Sequence, residues 1–205
     1  MLKMWVPPKI RRTIFFILGV SIVFAGAAFA GELEKKFSLD INYARNDLIL
    51  KLKAFDYTFS SKTQRIDFMA GRRFRSGVGD FRAFGYLKID NKDRRWIGTR
   101  LDYSRKALGD RLLLELEMRF FQGLNGKSKN HFYVIPSAYF RLDKNGRFMI
   151  GPSGYGRKTV GEKPFFYLGL DFLVGLVRHV RTLFSYSLDA YGAEPMVWLV
   201  LSIDL

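Results

Sequence analysis

From residue 31 onward apolar side chains recur at every second position, the period of a β-strand whose successive side chains face opposite sides of a sheet. Leu112, Leu114, Leu116, Met118 and Phe120 alternate with Arg111, Leu113, Glu115, Glu117 and Arg119, an apolar face backed by an ionic one. Ile97, Thr99, Leu101 and Tyr103 alternate with Gly98, Arg100, Asp102 and Ser104 in the same way. Segments 48–59, 64–74, 80–90, 131–142, 147–155, 164–177, 180–191 and 196–205 repeat the pattern. Runs of turn-forming residues separate them, at 76–79, 90–93, 107–110 and 143–146, each short enough to join antiparallel neighbours. The chain is predicted to be all-β with about ten strands, eight and twelve being the bounds.

Three architectures suit many antiparallel strands with one apolar face: a soluble barrel, a two-sheet sandwich, or a membrane barrel with its apolar face outward. About fifty apolar side chains would have to fit inside a soluble barrel, whereas roughly eight strands enclose only enough room for side chains to fill. The polar face argues against a solvated sandwich surface. It carries charges of both signs among glycines and aromatics, namely Gly71, Arg73, Tyr86, Lys88, Gly98, Glu117, Tyr139, Arg141, Gly169, Asp171 and Gly175, as an ion-paired lumen would. The expected fold is therefore a closed antiparallel transmembrane β-barrel over residues 31–205. Pro136 is expected to mark a bulge or a strand limit, because proline lacks a ladder donor and a closed barrel has no edge for it.

Val197, Leu199, Leu201, Ile203 and Leu205 alternate with Trp198, Val200, Ser202 and Asp204, so the chain stops on an apolar position. In this strand and in its overall pattern, the segment 31–205 resembles the small outer-membrane β-barrels of Gram-negative envelopes. The resemblance lies in pattern and not in an invariant motif, and Leu205 stands where that family usually has Phe or Trp. It implies an outer-membrane location, surrounding lipid and lipopolysaccharide, and the barrel-assembly machinery as a partner in biogenesis. It also implies an even strand number with both termini on the periplasmic side. The 76–79, 107–110 and 143–147 turns then lie in the periplasm, and two long basic segments, 122–131 and 156–163, lie outside. An eleventh candidate, with Phe37, Leu39, Ile41 and Tyr43 alternating with Ser38, Asp40 and Asn42, is either a periplasmic extension or part of a twelve-stranded count.

Residues 1–30 read as a helical signal peptide. Lys3, Lys9, Arg11 and Arg12 precede an apolar run from Ile14 to Ala25, and Ala28-Phe29-Ala30 forms a small-residue cleavage site, so cleavage is expected after Ala30. The alternative is an uncleaved anchor, since the uncharged stretch 14–30 reaches the lower limit of roughly 17 residues for a spanning helix. Charge changes meaning with this division. The 205-residue chain has 34 Lys plus Arg against 19 Asp plus Glu, a net +15. Removing the leader takes four basic side chains and no acidic one, leaving 30 against 19, or +11, on the exported part. Those charges are spread along the chain, no nucleic-acid-binding motif accompanies them, and export argues against a nucleic-acid partner. With no cysteine, disulfides, zinc ribbons, iron–sulfur sites, a thiol nucleophile and a lipoprotein anchor are excluded. No cofactor or metal site is read, and nothing specifies an oligomeric state.

Matching faces across the hairpin at 107–110 demands odd pair sums, which sets Arg100 opposite Glu115 or Glu117, and Arg82 near Asp102. Arg82, Arg100, Asp102, Glu115, Glu117 and Arg119 are thus the predicted lumenal ionic network. It reads either as a charge-balanced plug, the favoured reading, or as a polar conduit or acid–base carboxylate pair. Small barrels similar to lipid A deacylases and palmitoyltransferases use His and Ser at the outer leaflet, which makes His131, near Ser128 and Ser137 in sequence, the catalytic candidate. No His-Ser motif of that family surrounds it, and topology sets His179 in a periplasmic turn. Lys127, Lys129, Arg157, Lys158 and Lys163 are candidate contacts for lipopolysaccharide phosphates, the alternative being a solvated loop surface. The preferred function is a structural or binding barrel with a largely plugged lumen; a lipid A-modifying enzyme and a narrow passive channel are the alternatives.

Overall fold

The computed structural model describes residues 34–177, 179–190 and 195–205. The expected signal helix and its cleavage site lie outside the described residues. Period-two alternation gives eleven strands: β1 (Glu34–Arg45), β2 (Leu48–Thr58), β3 (Thr63–Ser76), β4 (Gly79–Asp90), β5 (Arg95–Ala107), β6 (Leu112–Gly123), β7 (His131–Arg141), β8 (Phe148–Thr159), β9 (Phe165–Val177), β10 (Val180–Asp189) and β11 (Met196–Asp204). Each pairs with its sequence neighbours, and β1 closes the barrel against β11.

The closure corrects the strand parity. The 37–43 segment is neither an extension nor one of twelve strands; it is β1. After ten reversals β11 runs in the same direction as β1, so the closing seam is parallel, in register from Glu34 with Met196 to Asn42 with Asp204. A parallel pairing is slightly less stable per residue than an antiparallel one. Leaving two edges unpaired would expose every ladder donor and acceptor along them, which is worse. The two ends of the described chain consequently do not share one side. Glu34 starts at the end that carries the 124–130 and 160–164 loops, whereas Leu205 finishes at the end of short turns, its amide donating to the Asn42 carbonyl at 2.7 Å.

Alternation sorts side chains into an apolar outer face and a polar inner one. Ile66, Phe68, Ile97, Leu101, Phe120 and Leu168 stand outward, each about half exposed. In β2 the period breaks: the pairing register slips between Leu39 and Asp40 on one side and between Lys53 and Asp56 on the other, the mark of a β-bulge. Strict alternation would set Lys53 and Asp56 on opposite faces. The bulge turns both inward, where they are 4% and 6% exposed.

Pro136 produces neither the bulge nor the strand limit expected of it. β7 continues through it with unchanged register to both neighbours, Leu116 facing it on β6. What changes is the ladder to β8, which runs from His131 to Val134, recurs at Ser137, and resumes at Phe140. Pro152 on β8 falls in the second interruption, so two missing N–H donors are concentrated on one interface. Both gaps fall in one seam, and the β6–β7 and β8–β9 ladders on either side of it run without interruption.

Candidate functional site in the barrel lumen

Among the described residues the lumen holds a cavity toward each end, with a narrower chamber between them. Toward the short-turn end lies a cavity of about 260 Å³, with Arg82, Arg100, Glu115 and Glu117 on one wall and Ser137, Ser153, Asp171 and Ser185 on the other. Toward the long-loop end lies one of about 350 Å³. Between them is a chamber of about 30 Å³ bounded by Asp67, Tyr86, Arg119, Tyr133, Tyr155 and Met196. That is room for one or two waters and not for a hydrated solute.

The structure brings the six residues of the ionic network to the same wall. Arg100 forks onto Asp102 (Nε–Oδ1 2.6 Å, Nη2–Oδ2 2.9 Å) and reaches Glu117 (Nη2–Oε2 2.7 Å). Arg119 also pairs with Glu117, Arg82 approaches Asp102 at 3.6 Å and Lys51 does so at 3.9 Å. Glu115 faces Ser104 and lines the same cavity. The register differs from the expectation: Arg100 is directly opposite Arg119, and Asp102 is opposite Glu117. The reason is the β5–β6 turn. Residues 108–111 stay outside the ladder, with left-handed backbone at Leu108, Gly109 and Asp110, so pairing starts at Ala107 with Leu112. Like charges set directly opposite repel. Here each arginine leans diagonally onto a carboxylate, and the network balances.

A second, apolar component of the lumen is absent from the alternation argument. Met69, Phe84, Tyr86, Trp96, Phe121 and Tyr133 form a buried cluster inside the barrel. Gly98 makes room for it: a Cβ there would run into the Phe120 carbonyl and the Phe121 ring, so the ring lies over the glycine backbone. The signal was the run of aromatics on inward positions of β4 to β7, which identity alone does not separate from outward aromatics such as Phe68. Tyr86 donates to Asp67 beside this cluster, and Tyr139 and Ser153 donate to Asp171 at 2.9 and 2.7 Å.

His131 begins β7 and is turned into the upper cavity, 3% exposed. Its Nδ1 lies 2.9 Å from the Lys129 carbonyl, so this nitrogen carries the proton. Nε2 then accepts from the Lys88 ammonium at 3.2 Å. Ser128, whose Oγ donates to Asn125 at 2.6 Å and accepts from the Arg95 amide at 2.8 Å, is committed to loop structure. Ser137 lines the other cavity. Among the described residues no serine hydroxyl hydrogen-bonds to His131, and its basic nitrogen is occupied. His179 sits in the β9–β10 connection, where its carbonyl accepts from the Asp204 amide.

The five basic loop candidates separate. Lys127 pairs with Asp93 at 3.4 Å and Lys129 with Glu162 at 3.0 Å, while Lys163 is exposed. Lys158 belongs to β8 and donates to the Glu162 carbonyl at 2.7 Å. Arg157 is no loop residue: it lies inside the barrel on β8, its guanidinium 5.6 Å from the Tyr133 ring and 5.8 Å from Phe165. The first half of the segment 156–163 is strand, followed by a short turn with Gly161 at φ +80°. Among the described residues, no three His, Asp or Glu side chains are grouped to hold a metal ion. No protein-family model matches this chain, and no curated protein matches it either.

Proposed function

We propose that this chain is an exported outer-membrane β-barrel of a Gram-negative envelope, with a plugged, ion-paired lumen and a structural or binding role. One observation carries the reading: the polarity of the molecule is inverted relative to a water-soluble barrel. Its outer wall is a continuous band of exposed Ile, Leu and Phe, and its interior holds Lys53, Asp56, Asp67, Lys88, Asp102 and Asp171 nearly without exposure. Lipid is the solvent that suits such an outside. The loops at 124–130 and 160–164 face outward in this reading, offering Lys127, Lys129 and Lys163 to lipopolysaccharide phosphates. The 30 Å³ chamber counts against passive transport, and the occupied nitrogens of His131 count against a His-Ser enzyme.

Absence of native cysteine makes the test direct. Single variants Phe68→Cys, Leu168→Cys and Ser137→Cys carry a nitroxide in vesicles of outer-membrane lipid, and collisions with oxygen and with a water-soluble nickel chelate are measured. Oxygen access at 68 and 168, with shielding from both reagents at 137, is expected. Nickel access at 68 and 168 in the folded protein would overturn the membrane reading, and open-channel conductance in a planar bilayer would overturn the plug.

A further inference from the structure

We propose that the upper cavity is a binding site for a phosphomonoester, held between Lys88, Arg157 and Arg65. This goes beyond the envelope role proposed above, because it assigns a ligand class to the lumen.

Lys88 is the strongest observation. It is 4% exposed, yet among the described residues no carboxylate lies within 4 Å of its ammonium; Asp67, directly opposite on β3, accepts instead from Tyr86, and the ammonium's neighbours are His131 Nε2 and the faces of Trp96 and Phe121, each 4.6 Å away. A buried cation normally has an anionic partner, and cation–π contacts alone replace little of its lost hydration. Arg157, which like Lys88 lies within 6 Å of the Tyr133 ring centre, also has no carboxylate within 4 Å among the described residues, and its Nε is buried without a hydrogen bond. Arg65, on the same cavity, pairs with Asp56 at 3.6 Å across the β2–β3 ladder, so the unanswered cations are Lys88 and Arg157. Asp90, the acid on this wall, is taken by Arg94 at 2.6 Å. The lower cavity differs: there, carboxylates answer the arginines. Charge left over in only one of two cavities points to a missing anion.

Three converging cations suit a phosphate dianion better than a single carboxylate, with the arginines supplying forked donors and Lys88 a point charge. The volume of about 350 Å³ is larger than a phosphate group and within the range of small-molecule sites, and Trp96, Tyr155, Phe165 and Tyr167 form an apolar wall for the ester's organic part. The cavity lies at the long-loop end, so the phosphate arrives either on a soluble ester or on a lipid headgroup.

The test uses protein refolded in zwitterionic micelles, folding being verified by heat-modifiable gel migration. Inorganic phosphate and phenyl phosphate are titrated by calorimetry against sodium chloride of equal ionic strength. Saturable binding is expected, tighter for phenyl phosphate, and at least tenfold weaker in Lys88→Met and Arg157→Gln but unchanged in Lys144→Gln, an exposed position in the β7–β8 turn at the opposite end of the barrel. Lys88→Met also removes an unpaired buried charge, so it is expected to unfold at a higher temperature than wild type without phosphate and to gain nothing when phosphate is added. Competition by phosphorylated lipid A, and none by its dephosphorylated form, assigns the site to a headgroup; phosphate binding without such competition assigns it to a soluble ester. Folded protein that binds neither probe, or binds equally after both substitutions, overturns the proposal. The nitroxide measurements above are independent of phosphate, so failure here leaves the membrane reading standing, and the converse holds.

Discussion

Arg100 makes its short ion pair diagonally with Glu117 (2.7 Å), although the residue directly across the ladder is Arg119. Glu117 therefore holds two guanidiniums that would otherwise confront each other in the lumen. Burial makes the loss of such a bridge expensive, because Arg119 loses its ion-pair carboxylate and Arg100 is left with Asp102 alone.

Glu117→Gln is accordingly expected to destabilise the barrel by about 3–5 kcal/mol, the range for stripping one partner from a buried pair. Urea unfolding in micelles measures it. Adding Arg119→Met to that variant is expected to restore part of the loss, giving a coupling of about 0.5–3 kcal/mol between the positions. Strict additivity would mean that Glu117 does not mediate between the arginines.

Gly98→Ala places a Cβ against the Phe120 carbonyl and the Phe121 ring, which is itself 1% exposed and hemmed in. A cost of about 1–3 kcal/mol or more is expected from overpacking. Gly126→Ala, where a Cβ would meet open space, is the control and should lie within roughly 0.5 kcal/mol of wild type. Equal unfolding midpoints for the two variants would contradict the packing described for the aromatic cluster.

The 124–130 loop is tied to the β4–β5 turn through Asp93. Arg95 hydrogen-bonds the Asp93 carboxylate and Lys127 adds a second contact, and both hold its pKa below the ordinary aspartate value. A depressed carboxyl contributes order above its unfolded pKa of about 3.9 and loses it as pH falls through the folded value. A nitroxide at Gly126→Cys should keep constant mobility from pH 7 to about 4 and loosen below that. With Asp93→Asn the label should be mobile throughout; an unchanged acid transition in that variant would assign it to another group. Glu162 is shifted downward likewise by its hydrogen bond from Lys129, so the β8–β9 turn is expected to respond in the same direction.

The β7–β8 ladder is interrupted near Pro136 and Pro152. Amides of Ala138 and Gly154, which point into this seam beside the missing donors, are expected to exchange faster than those of Tyr86 and Lys88 in the unbroken β4–β5 ladder. Pro136→Val, restoring a donor at an outward-facing β position, should stabilise by about 0.5–1.5 kcal/mol. Equal exchange at the two seams would show that the missing donors are compensated.

Much of the fold was legible because a strand's faces follow from parity alone. The 112–120 and 97–103 alternations place their apolar and polar sets without reference to any neighbour, and Leu112 to Phe120 do line the outside of β6. Strand number was less accessible. Whether 37–43 joins the barrel depends on a partner 162 residues away, as Phe37 is from Leu199, and an even-number expectation displaced the simpler reading that its alternation was already a strand. Of the candidate site, the six ionic residues share a wall because their parities agree. Arg157 was assigned to a loop because its basic neighbours masked the strand pattern, and Lys88 was visible as an inward position but not as an unanswered charge.

The sequence by itself determined what alternation and composition can encode: an all-β chain, the outward set of apolar residues, the inward set of charges, and the absence of thiol chemistry. Tertiary structure alone decided the parallel β1–β11 seam, the bulge that turns Lys53 and Asp56 to the same side, the register that faces Arg100 with Arg119, and the narrow chamber between the two lumenal cavities. The physical reason is common to all four. Each depends on which distant backbone groups exhaust one another's hydrogen bonds when the barrel closes, and closure is a property of all eleven strands together.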